Sequence, residues 1–215
     1  MLLYRHKKFA DLIAVSALVT GVMGSVLVSV GQAHATGSSA FSMRVTQRTS
    51  TPAGHVYYCA NEPKACARHG KGVKILTEQN WKQLVKINSS VNNSIKAVED
   101  GQIDQWSVYV KEGDCEDYAL TKQRELLRNG WSSDSLLITT AYLPDGAYHA
   151  VLVVRTDRGE FILDNLNPLI QPWQSVKYRW NKRQAVGNPQ IWQSIAGAPN
   201  QRNGQSVGSL NPKPR

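Results

Sequence analysis

The sequence has little cysteine, no block of lysine and arginine, no zinc-binding spacing and no internal repeat. The missing basic block, together with the absence of any RNP-like aromatic motif, argues against nucleic acid as a partner, although the formal net charge is +9. Excess lysine and arginine of this size, spread along the chain, keeps an exported domain soluble and suits an anionic envelope. His55 and His69 lie close in sequence to Cys59 and Cys66, but their spacing matches no zinc site, which argues against a metal of that type there.

At the N-terminus, Arg5, Lys7 and Lys8 precede an apolar run from Leu12 to Val30 and then Ala33-His34-Ala35. This is the three-part layout of a signal peptide over residues 1–35. The apolar run is also about long enough to span a membrane, so an uncleaved anchor is the alternative reading. Residues 1–35 hold three of the 25 Lys+Arg and one of the 16 Asp+Glu, leaving 22 against 15, or +7, in the remainder. Either way the bulk of the chain is expected outside the reducing cytosol, in the periplasm or fully secreted, where disulfides are permitted.

Three cysteines are an odd number for such a compartment and point to one pair and one left over. Cys59 and Cys66 enclose a short proline-containing loop that a bridge could close, whereas Cys115 stands alone between Asp114 and Glu116. Residues 36–52 are rich in Ser, Thr and Gly with little apolar periodicity, and are expected to form a flexible leader. Residues 198–215, with Pro199, Pro212 and Pro214, are expected to form a disordered tail. Between them, residues 53–197 make one domain of ordinary size.

Within that domain Trp81, Leu84, Val85, Val91 and Ile95 recur at three- and four-residue steps, predicting a helix over 77–97 with Thr77 as its cap. A second helix opens at Asp114-Cys115-Glu116-Asp117 and stops at Asn129-Gly130. Strand-like runs follow at 135–142, 148–155 and 160–166, turned by Pro144-Asp145-Gly146 and by Asp157-Arg158-Gly159. Helices first and antiparallel strands second predict an α+β domain, with the sheet packed on the cysteine-bearing helix.

The start of a helix stabilises a thiolate through the positive end of the macrodipole, which makes Cys115 a candidate nucleophile. His149 stands at the head of the run Ala150-Val151-Leu152-Val153-Val154, where a strand mouth can aim its ring at a helix start. Counted from Arg158, His149 lies nine residues back and Asp164 six forward, so the two are near neighbours across the hairpin without being directly opposed. Cysteine, histidine and aspartate in that order supply nucleophile, base and orienter for acyl chemistry. Each has a plainer alternative. Asp114 could be only an N-cap with Asp117 at the reciprocal position, Cys115 a small buried residue, and His149 a satisfied strand-end histidine.

The segments Gly113-Asp114-Cys115-Glu116-Asp117-Tyr118-Ala119-Leu120, Tyr148-His149-Ala150-Val151-Leu152-Val153 and Leu163-Asp164-Asn165 resemble the bacterial transglutaminase-like cysteine peptidases, periplasmic proteases, especially those of alphaproteobacterial type. The likeness runs from about Val56 to Ile195 and includes Val91-Asn92, the stretch from Tyr178 to Gln184, and Trp192. Between Gln105 and Lys111 the chain keeps Trp106 but departs from the family's fuller Trp-Ala-Thr-Pro-like segment. The resemblance implies a papain-like core in transglutaminase arrangement, a Cys115, His149, Asp164 triad, and a calcium ion beside the nucleophile with Asp114 and Glu116 as ligands. Calcium takes roughly six to eight oxygens, so backbone, water or further residues would complete the set. It also implies a polypeptide substrate such as a surface adhesin, and a regulatory inner-membrane partner. Two other functions remain open at this point: acyl transfer to an amine by the same thioester, and a non-catalytic binding module that retains the triad.

Overall fold

The computed structural model describes residues 41–101 and 103–197. The expected signal peptide (1–35) and tail (198–215) lie outside the described residues.

The domain is α+β, as the sequence pattern predicts. Helix α1 spans Ala53–Asn61, α2 Glu78–Ser94 and α3 Cys115–Arg128. The strands are β1 (Val45–Thr49), β2 (Lys96–Ala97), β3 (Glu112–Gly113), β4 (Leu136–Tyr142), β5 (Tyr148–Thr156), β6 (Gly159–Leu163), β7 (Gln171–Pro172), β8 (Arg179–Ala185) and β9 (Asn188–Ile195). Seven strands form one antiparallel sheet in the order β1-β9-β8-β4-β5-β6-β7, while β2 and β3 pair in parallel beside it.

Thr77 caps α2 as its position predicts, its hydroxyl accepting from the Asn80 N–H at 3.1 Å. Gly130, with φ +79°, supplies the left-handed residue that ends α3. Alternation along β4 and β5 sends Leu136, Ile138, Tyr148, Ala150, Leu152 and Val154 to the side where α2 and α3 pack, and Ala141, Val151 and Val153 to the other. Because both faces are covered, β5 is buried along almost its whole length, and its run of valines reads as continuous rather than alternating.

The leader expected over 36–52 is structured where it is described. Val45–Thr49 pairs with β9, and Met43 is buried. The reason is electrostatic as well as apolar: buried Glu160 accepts from the Met43 N–H at 2.8 Å and from Arg183 Nη1 at 2.9 Å, and Arg183 Nη2 donates to the Met43 carbonyl at 3.2 Å. A buried ion pair needs its remaining hydrogen-bonding positions filled, and the leader's main chain fills one on each partner.

Cys59 and Cys66 are joined by a disulfide and Cys115 is free and buried, as the odd number suggested. Beside the disulfide, His55 is enclosed by Trp106 and Trp192, each with ring centroid 5.4 Å away in edge-on geometry. Burial lowers its pKa to about 4. The unfolded chain takes up a proton near pH 6.5 that the folded chain refuses until about pH 4, so the neutral ring's contribution is complete above 6.5 and is lost as pH falls. The loss is expected to reach on the order of 3 kcal/mol at pH 4. Urea unfolding between pH 7 and 4 should show this slope in the native chain and a flatter one in His55→Asn; equal slopes would assign the acid sensitivity to other groups.

Candidate active site

The first turn of α3 meets the mouth of β5. The Ala150 N–H donates to Cys115 Sγ at 3.3 Å, which fixes the sulfur one residue along the strand from His149. His149 Nε2 and Asp164 Oδ1 are 2.9 Å apart. Since a carboxylate only accepts, Nε2 carries the proton and Nδ1 is left as the basic nitrogen. Asp164 is held further by the Leu166 N–H at 3.0 Å and the Tyr178 hydroxyl at 2.6 Å, while Asn92 Nδ2 donates to its backbone carbonyl at 2.8 Å. Tyr178 also stands edge-on to the His149 ring, centroids 5.7 Å apart. Burial raises the Asp164 carboxyl, but the bond and charge of His149 and the bonds from Tyr178 and the Leu166 N–H together outweigh it and hold the group below its ordinary pKa.

Pairing of Leu152 with Leu163 leaves Asp164 just past the end of β6, where the chain turns back toward His149. The offset counted from the hairpin is real, and side-chain reach closes it. Cys115 and His149 both line a cavity of about 290 Å³ bounded by Val98, Glu99, Tyr148 and Leu166. On the interior side of α3 lies Lys122, fully buried, its pKa drawn down to about 7 by burial against the opposing pull of Asp164.

The helix start does not lower the thiol pKa in this arrangement. Burial pushes the Cys115 thiol well up, the charges of Glu116 and Asp114 push it further, and the Ala150 N–H opposes them. The Cys115 thiol donates to Glu116 Oε2 at 3.3 Å. Two carboxylates beside the sulfur outweigh the fractional charge of a helix end.

Asp114 is the N-cap residue of α3, yet its side chain makes no capping bond. Its Oδ2 instead accepts from the Asp100 N–H at 3.3 Å. Asp117 takes the reciprocal position, accepting from the backbone N–H of Asp114 and, at 2.7 Å, from that of Ser107. With Asp114 turned away, carboxylate oxygens of Asp100, Asp104 and Glu116 lie within 4.8 Å of one another, as do ligand atoms of Asp114, Cys115 and Glu116. Asp114 Oδ1 and Glu116 Oε1 are buried with no hydrogen-bond partner. Burial first, then the close approach and charge of Asp114, raise Glu116 to about 12. Hard oxygens converging without a counter-charge fit a hard divalent cation such as calcium.

Asp100 and Asp104 were not singled out from the sequence. The available signal is charge clustering: seven of the 16 acidic residues of this basic chain fall between Glu99 and Asp117.

Residues 45–200 match the family described as bacterial transglutaminase-like cysteine proteinase. The chain belongs to this family. It is accordingly a cysteine peptidase of the transglutaminase-like type. Similar solved structures are those of LapG from Legionella pneumophila. The calcium-bound form is 27% identical, covers 60% of this chain and 74% of its own, and superposes with a TM-score of 0.46. An EGTA-treated form is 29% identical over 52% of this chain and 66% of its own, also with a TM-score of 0.46. No curated protein matches.

The glycine before Asp114-Cys115 has a local reason. A Cβ on Gly113 would stand 2.1 Å from Asp117 Oδ2 and 2.9 Å from Val110 Cγ2. Gly113→Ala is therefore expected to cost about 1–3 kcal/mol through overpacking. An unchanged urea midpoint would mean that Asp117 can move without loss.

Proposed function

We propose that this peptidase is a periplasmic endopeptidase that cleaves an accessible polypeptide, such as a surface adhesin, with Cys115 as nucleophile, His149 as base and Asp164 as orienter. The observation that carries the reading is the 2.9 Å bond between His149 Nε2 and Asp164, with Sγ placed beside the neighbouring Ala150 N–H.

The Cys115 thiol proton passes to His149 Nδ1, and the thiolate attacks the scissile carbonyl carbon. The resulting oxyanion meets the Cys115 backbone N–H, which at the first position of α3 has no acceptor within the helix. Collapse breaks the C–N bond, and the leaving amine takes the proton from Nδ1. Water, deprotonated by the same nitrogen, then hydrolyses the thioester and restores the thiol. Asp164 stays ionised throughout and favours the imidazolium formed in each half.

Asp114, Glu116, Asp100 and Asp104 would hold a calcium ion. Bound there, the ion supplies positive charge that offsets the carboxylates beside the sulfur, and so favours the thiolate. A periplasmic setting agrees with the exported layout of residues 1–35 and with the Cys59–Cys66 disulfide.

The test is alkylation of the purified chain by limiting iodoacetamide, with peptide mapping, in calcium and in EGTA. Labelling at Cys115 is expected to be fast in calcium and at least tenfold slower in EGTA or in His149→Ala. A rate equal to that of free cysteine under every condition would remove the peptidase mechanism and leave a binding module that keeps the three residues. Cys115→Ala is expected to remain folded and to cleave nothing.

A further inference from the structure

We propose that Trp106, seated on the bare backbone of Gly54 in α1, is the positioning residue that sets how tightly the carboxylate cluster holds a divalent cation. The inference rests on the cation reading above and goes beyond it, because neither residue has a side chain that can ligate calcium.

Trp106 is buried, and its Nε1 donates to Asp104 Oδ1 at 3.0 Å. The indole lies directly against α1. A Cβ on Gly54 would stand 2.1 Å from Trp106 Cδ1, 2.5 Å from Nε1 and 2.9 Å from the Asp104 carbonyl oxygen. The lack of a side chain at one position therefore admits both the indole and the main chain of the carboxylate it holds. All three atoms belong to a ring or to the main chain, so an alanine there must displace the ring, the loop or the helix. Gly54 has no left-handed backbone to explain it; close approach is the reason.

The remaining contacts of the ring point the same way. His55 and Trp192 meet it edge-on, with centroids 5.4 Å from His55 to Trp106 and 6.3 Å from Trp106 to Trp192. Cys59 Sγ lies 3.7 Å from the His55 ring, so the disulfide closes the far side of the same pack. Past Trp106 the loop is tied to α3 by the Ser107 N–H to Asp117 and by the Tyr109 N–H to the Thr121 hydroxyl at 3.1 Å. The segment from Asp100 to Tyr109 thus has one anchorage on α3 and one on α1, and Asp104 sits beside the second. Partners that orient a ligating carboxylate typically change metal affinity by about 10–100-fold when removed.

The experiment is calorimetric titration of calcium chloride onto the EGTA-stripped, dialysed full chain in four forms: native, Trp106→Phe, Gly54→Ala and Asp104→Asn. Trp106→Phe keeps an aromatic ring but removes the donor, and is expected to raise the Kd at least tenfold with a thermal melt in EGTA close to native. Gly54→Ala is expected to weaken binding as much or more. If that variant is unfolded, Trp106→Phe alone decides. Calcium binding by the native chain that Trp106→Phe leaves within twofold, while Asp104→Asn abolishes it, would overturn the positioning role and keep the cation site. Absence of calcium binding by the native chain would overturn the cation reading and this inference with it.

Discussion

Burial of the first turn of α3 is the constraint on which the rest of the arrangement depends. Asp114, Cys115, Glu116 and Asp117 are all buried, so a thiol and three acids occupy a region from which water is largely excluded. Each charge there must find a partner within the protein or be given up to a proton. Asp117 finds two backbone N–H groups. Asp114 and Glu116 each retain an oxygen with none, and among the described residues neither forms an ion pair. The same burial that suppresses the thiolate makes its environment responsive to a single added positive charge, since the field of that charge is screened little in the interior.

Legibility from sequence followed the apolar pattern. Helices α2 and α3 and strands β4, β5 and β6 were readable because their apolar residues recur at helical spacing or in short β-branched runs. Strand β8 was not, although it joins β4 to β9 near the middle of the sheet. Its sequence from Arg179 to Ala185 includes Asn181, Lys182, Arg183 and Gln184, which suggests a surface, yet all four are buried. Each is partnered at long range: Lys182 Nζ by the Ser50 carbonyl, Arg183 Nη1 by Glu160, Gln184 by the Ile138 N–H and Asn181 by Tyr148. Such partners are 23 to 132 residues away and leave no local periodicity to read. Strand β1 escaped for a related reason, because its order comes from β9 and from Glu160 rather than from its own composition.

At the site, residue types and order were legible but orientation was not. Asp114 and Asp117 occupy the two positions of a reciprocal cap, and the sequence gives no means of telling whether one bond, both or neither forms. The fold uses only the Asp117 half, which frees the Asp114 side chain to face Asp100. The choice depends on Ser107, ten residues upstream of Asp117, whose N–H strengthens that acid's hold on the loop. In the same way the motif marked Cys115 as a thiol at a helix start, while the direction of its pKa shift was decided by burial first and then by the charges of Glu116 and Asp114.

Convergent acids are costly to bury, and the elements that keep them converged are themselves weak. Helix α1 has nine residues and no side-chain cap, too short to be stable by its own hydrogen bonds. It is held by the disulfide and its loop together with the packed rings of His55, Trp106 and Trp192 beside them. Repulsion among the carboxylates pushes the loop carrying Asp100 and Asp104 away from α3, and the indole pressed on Gly54 resists that push. A cross-link that constrains the unfolded chain and an aromatic pack that constrains the folded one act on the same short helix. Together they let an electrostatically unfavourable cluster persist in the folded chain, and its unsatisfied oxygens are what suit the cluster to a cation.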